Sequence, residues 1–203
     1  MIKGKIRVAI IGTGRISDLH AIEYLHNPDT EIVALCDSNI DLAKTRAKKW
    51  GCSNSVKIEK DIDKVLADND VDMVELLLPH HLHLPEALKS IEAGKIISLQ
   101  KPMCLNLEEA DKLVNAVKGY DKPFKVFENF IFYPPVIKAK QLVDEGVIGK
   151  PLSIRIKSNF GIGNEAWHVP KYARTWRRQT NKSGGGPAVF DDGHHKFALA
   201  WYF

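Results

Sequence analysis

Cysteine is scarce in this chain. Cys36, Cys52 and Cys104 are its only three among 203 residues, an odd and widely spaced set that suggests no disulfide framework. Long apolar runs are missing as well, and none approaches the ~20 residues that a membrane-spanning helix requires. Met1-Ile2-Lys3-Gly4-Lys5 leads into a strand-like segment without the apolar core of a signal peptide. A cytoplasmic protein with no membrane partner is therefore expected. There is no internal repeat, no low-complexity tract and no nucleophile-elbow turn. His80, His81 and His83 cluster in sequence, and His20, His194 and His195 could join them. Without His-x-x-x-His or Cys-x-x-Cys spacing, however, no metal is expected.

Charge of one sign is not in large excess: 29 Lys and Arg stand against 25 Asp and Glu. The basic residues do gather between Lys138 and Lys182, where ten face three acidic ones. They are scattered among apolar residues and carry no nucleic-acid motif. A solvated face, or an anionic small molecule, fits this stretch better than nucleic acid.

Apolar runs alternate with helical patterns. Ile6–Ile11, Glu31–Cys36, Val71–Leu78, Ile96–Leu99 and Phe124–Phe127 read as strands, the first almost wholly apolar, as a strand covered on both faces should be. Ile16, Leu19, Ile22 and Leu25 mark one side of a helix. Leu42, Ala43, Ala47 and Trp50 line a second helix that ends at Gly51. Pro85 suits the first turn of a third, and Asn106 with Glu109 can cap a fourth. Such alternation predicts α/β architecture with a doubly wound parallel sheet. Near residue 121 the rhythm changes to a helix over 136–145, a strand over 152–160, a Gly-, Trp- and Arg-rich loop, and a helix from about Asp192. A lone strand cannot make a sheet, so this second part is expected to be incomplete.

Three motifs carry chemistry. In Gly12-Thr13-Gly14-Arg15-Ile16, Gly12 permits a tight strand-to-helix turn, and Gly14 lets phosphate oxygens approach the backbone N–H groups at the helix's positive end. Asp37 lies 23 residues beyond Gly14, at the end of the next strand. A carboxylate there suits ribose hydroxyls and favours NAD, although Ser38, Asn39 and Arg46 could accommodate NADP; its alternative role is a helix cap. Lys101 follows the strand ending at Leu99. As a surface charge it would be unremarkable, but beside a cofactor its ammonium could bond a reacting oxygen. Asp191 and His195, four residues apart, share a face if Asp191 opens a helix, so that the carboxylate orients the imidazole; capping and packing are their alternatives. Gly184-Gly185-Gly186 lacks the flanks of a nucleotide P-loop.

The chain resembles the glucose–fructose oxidoreductase and inositol dehydrogenase (Gfo/Idh/MocA) family. The resemblance rests on Ala9–Ile16, Pro79-His80-His81-Leu82-His83, Ala93-Gly94-Lys95 leading to Gln100-Lys101-Pro102, Trp176-Arg177, the glycine triplet and Asp191-Asp192-Gly193-His194-His195. It implies a Rossmann-type dinucleotide domain over 1–121. Residues 122–203 would then begin a substrate-binding α+β domain whose antiparallel sheet is truncated. It also implies hydride transfer between NAD(P) and a sugar, sugar acid or cyclitol, with Lys101, Asp191 and His195 catalytic. Pro79, His80, His83 and Gln100 would join the glycine turn and Asp37 at the cofactor. Arg174, Trp176 and Arg177 would form a substrate rim. Gln100 replaces the family's usual glutamate, and His80 its usual asparagine. With a complete sheet a homo-oligomer is expected. The rival readings are an inactive cofactor-binding fragment and a sugar-sensing regulatory relative.

Overall fold

The computed structural model describes residues 4–157 and 171–203. They fall into two compact units, residues 1–127 and 128–203. No helix among the described residues is long and apolar enough to cross a membrane.

In the first unit β1 (Ile6–Ile11), β2 (Thr30–Cys36), β3 (Lys57–Glu59), β4 (Met73–Leu76), β5 (Ile96–Leu99) and β6 (Phe124–Val126) form one parallel sheet. Its order is β3-β2-β1-β4-β5-β6. The order reverses between β1 and β4, and ligands bind at such a switch, beyond the carboxyl ends of the strands. Helices α1 (Ser17–His26), α2 (Ile40–Lys49), α3 (Ile62–Ala67), α4 (His83–Glu92) and α5 (Leu107–Val117) make the crossovers. Two cores result. Ile10, Leu35, Ala21, Ala43 and Ala47 fill one, while Ile11, Leu76, Leu99, Ala87 and Leu113 belong to the other. Adjacent residues Ile10 and Ile11 therefore point to opposite faces, which is why β1 is apolar from Val8 to Ile11.

Local chemistry sets the helix ends. Asn39, rather than Asp37, caps α2 by accepting the Leu42 N–H at 3.2 Å. Asn106 caps α5 through the Glu109 N–H at 2.9 Å, and the Glu109 carboxylate accepts the Leu105 N–H. The expected face of α1 needs correction. Leu19, Ile22 and Leu25 are 55%, 48% and 42% exposed, whereas Ser17, His20 and Ala21 are buried. Small and polar side chains let α1 sit close to the sheet, and an apolar count cannot register them.

The second unit contains α6 (Pro134–Asp144), α7 (Lys171–Arg177), α8 (Thr180–Ser183), a π-helical turn (Pro187–Asp192) and α9 (Gly193–Tyr202). The expected strand over 152–160 is corrected for its described part. Residues 152–157 pair with no strand, because a ladder needs a partner and all described strands belong to the first unit's sheet. Positions 158–160 lie outside the described residues.

Candidate active site

The turn after β1 is fixed by its first glycine. Gly12 has φ +94°, and a Cβ there would lie 2.3 Å from the Leu77 carbonyl oxygen. Gly14 is different: a Cβ would meet nothing within 4 Å. No protein contact demands glycine at 14. Thr13 is fully buried and gives its N–H and Oγ1–H to Asp37 Oδ2 at 2.8 and 2.9 Å. The other carboxylate oxygen accepts the Asn39 N–H at 2.8 Å. Asp37 thus ties the turn to the end of β2. Arg46 donates to the Thr13 carbonyl at 3.2 Å and pairs with Asp18 at 2.8 Å. Arg15 and Ile16 complete the turn, and the N-cap position Ile16 supplies no side-chain cap to α1. The Ser17, Asp18 and Leu19 N–H groups bond the carbonyls of Gly14, Arg15 and Ile16 at 3.2, 3.4 and 3.0 Å, and the positive end of the helix still suits a phosphate.

Beyond β4, Pro79 leads into a 3₁₀ turn (His80–Leu82) and α4. His80 and His83 are both buried. His83 Nδ1 is 2.6 Å from the Pro102 carbonyl and Nε2 is 2.9 Å from that of Leu78. Burial pushes its pKa down to about 4, against the smaller opposing pull of the two carbonyls. His83 thus sits between the β4 and β5 loops, and its neutral ring, with one N–H, donates to one of the two carbonyls. Half-buried Lys101 stands beyond the carboxyl end of β5, and its bond to Pro102 is cis. Its backbone N–H donates to Gln100 Oε1 at 2.8 Å.

In the second unit His195 occupies the first turn of α9 and is buried. Its Nδ1 lies 2.8 Å from both oxygens of Glu128, and its ring stacks on Phe130 at 4.3 Å. Sequence reasoning missed Glu128. The two residues are 67 apart, and no local spacing links them. Asp191 lies in the π-helical turn, so the premise that it opens the α-helix bearing His195 does not hold. Its carboxylate pairs with Arg177 Nε at 2.8 Å, and that guanidinium lies 4.2 Å from the Trp176 ring. Arg174 is exposed on α7. Glu128, His194 and His195 bring donor atoms within 4.8 Å of one another, a set able to hold a cation. The contacts of His195 Nδ1 and His194 Nε2 with Glu128, at 2.8 and 3.3 Å, already account for that closeness.

Sheet order, switch point and glycine turn together define a Rossmann-fold, dinucleotide-binding protein. Residues 6–128 match the oxidoreductase family with an NAD-binding Rossmann fold, and residues 136–203 match the GFO/IDH/MocA C-terminal domain. The chain belongs to the GFO/IDH/MocA family of oxidoreductases. It is 30% identical to a levoglucosan dehydrogenase of Pseudarthrobacter phenanthrenivorans, over 97% of this chain and 50% of that protein. The crystal structure of an oxidoreductase from Thermotoga maritima superposes with a TM-score of 0.80 at 28% identity, covering 98% of this chain and 59% of that one. A scyllo-inositol dehydrogenase from Lactobacillus casei, solved with NAD(H) and scyllo-inositol, gives 0.64 at 25% identity, covering 71% and 42%. The chain spans about half the length of the curated relatives it matches.

Proposed function

We propose that this chain carries the cofactor domain and proton-transfer groups of an enzyme that moves a hydride between NAD(P) and a CH–OH group of a sugar, sugar acid or cyclitol. One observation carries the reading. Lys101 leaves the sheet at the same carboxyl edge as the Gly12–Gly14 turn, where doubly wound sheets hold their ligands. When bound, the nicotinamide supplies the hydride acceptor or donor. The chain's own groups do the rest. The Lys101 ammonium hydrogen-bonds the reacting oxygen and steadies its developing charge. His195, with its Nδ1 proton directed at Glu128, keeps the lone pair on Nε2 and accepts the substrate's proton there. Glu128 fixes that tautomer and stabilises the imidazolium that forms. Asp191 holds Arg177, which with Trp176 and Arg174 makes a rim suited to hydroxyl-rich or anionic substrates. The levoglucosan and scyllo-inositol dehydrogenases among its relatives support this substrate class.

Lys101→Ala tests the reading in an NADH absorbance assay over levoglucosan, glucose, uronates and inositols. Turnover should fall by about 10²–10⁴, with the NAD dissociation constant within about twofold of the parent. Unchanged turnover would remove Lys101 from the mechanism.

A further inference from the structure

Behind Lys101 lies a chain of buried polar groups that the reaction above leaves unused. Gln100, His20, Glu75 and Ser98 are all buried. Each hydrogen bond in the chain dictates the next. Gln100 Oε1 accepts the Lys101 backbone N–H at 2.8 Å, so its amide NH₂ is the group turned inward. That nitrogen lies 2.9 Å from His20 Nε2. An amide NH₂ can only donate, so Nε2 must offer a lone pair. The ring proton then belongs on Nδ1, which lies 3.1 Å from Glu75 Oε1. Ser98 Oγ donates to the same oxygen at 3.1 Å, and the Tyr24 hydroxyl donates to Oε2. Burial and the Glu75 charge both raise the pKa of the Tyr24 phenol, which keeps that donor in place. Reversing any one link would oppose two donors or two acceptors in the interior.

We propose that Glu75, His20 and Gln100 form a one-directional buried relay that positions Lys101, with His20 held neutral as the Nδ1–H tautomer. Glu75 anchors the ring, the ring orients the Gln100 amide, and the amide oxygen fixes the backbone from which the Lys101 side chain projects. Gln100 is the selector. A carboxylate at 100 would accept from both Lys101 N–H and His20 Nε2–H, and would hold His20 as an imidazolium between two anions. The amide permits only the neutral ring. These are positioning residues, and their effect on turnover rests on the role assigned to Lys101 above.

Two measurements on the whole protein separate the relay from that role. Long-range ¹H–¹⁵N correlation, with His20 assigned by its loss in His20→Gln, should show a protonated Nδ1 and a lone-pair Nε2 at neutral pH. In Gln100→Glu both nitrogens should be protonated. A protonated Nε2 in the parent, or a singly protonated ring in Gln100→Glu, overturns the relay whatever the turnover. In the NADH assay with levoglucosan or scyllo-inositol, Gln100→Ala should lower kcat by about ten- to a hundredfold and leave the NAD dissociation constant within about twofold, as expected of a misplaced catalytic group. Gln100→Glu, which keeps the acceptor oxygen, should recover most of that loss. Unchanged kcat in Gln100→Ala, or an equal loss of NAD affinity, overturns positioning. If the parent oxidises nothing, the proposed reaction fails while the tautomer still decides the relay.

Discussion

At the scale of single residues, Gly12 and Gly14 look interchangeable in the sequence but are held for different reasons. Gly12 combines a positive φ with a carbonyl 2.3 Å from any Cβ, so Gly12→Ala must move backbone. A loss of about 1–3 kcal/mol or more is expected from such local strain, read as a lower urea midpoint. Gly14→Ala enters open space and should unfold at the parent midpoint, yet weaken NAD binding, because the added methyl occupies the approach to the backbone N–H groups. A normal NAD affinity in Gly14→Ala would show that the cofactor does not pass there. The strand-end positions of the glycines, Asp37 and Lys101 were legible because each stands at a fixed offset from an apolar run. Glu128 was not. Its partner His195 is brought to it by tertiary structure alone, and Asp191, nearer in sequence, drew the role instead.

At the scale of elements, strand cores were readable because burial on both faces demands predominantly apolar runs. Helix faces were less so. α1 buries Ser17, His20 and Ala21 and exposes Leu19 and Ile22, the reverse of what an apolar count expects, because the relay needs His20 inside. The short elements β3 and α3 escaped notice, being three and six residues long with little room for a period to show. Between elements, His83 locks the β4 and β5 loops together. Its folded pKa of about 4 lies below the ordinary 6.5, so between those values the unfolded chain takes up a proton that the folded one refuses. This contribution to stability is present above pH 6.5 and is lost as pH falls towards 4, on the order of 3 kcal/mol in all. His83→Gln, which keeps an N–H donor but cannot titrate, should flatten that part of the stability curve. Equal acid slopes in urea titrations of parent and variant would show that His83 titrates normally.

At the scale of the whole molecule, the first unit's doubly wound sheet was anticipated from strand–helix alternation, while the second gave little beyond its helices. The reason is physical. A parallel sheet writes both its faces into every strand, whereas residues 152–157 have no ladder to give their alternation a meaning. What the fold implies for cofactor choice can be tested on the intact chain. Asp37 places a carboxylate at the end of β2, and Arg46, the nearest candidate for a 2′-phosphate, is already bonded to Asp18 and to the Thr13 carbonyl. NADP binding would have to break that pairing and set a phosphate against a carboxylate, and NAD binding would not. A ligand at a hundred times its dissociation constant stabilises the native state by about 2.7 kcal/mol. In a chain of this length each kcal/mol moves Tm by about 2–4 °C. NAD should therefore raise Tm by about 5–10 °C at a concentration where NADP gives a clearly smaller rise. Asp37→Ser should narrow the gap by removing the repulsion. An NADP shift equal to or larger than that of NAD in the parent would mean that Asp37 does not set the preference, and that Arg46 leaves Asp18 at little cost.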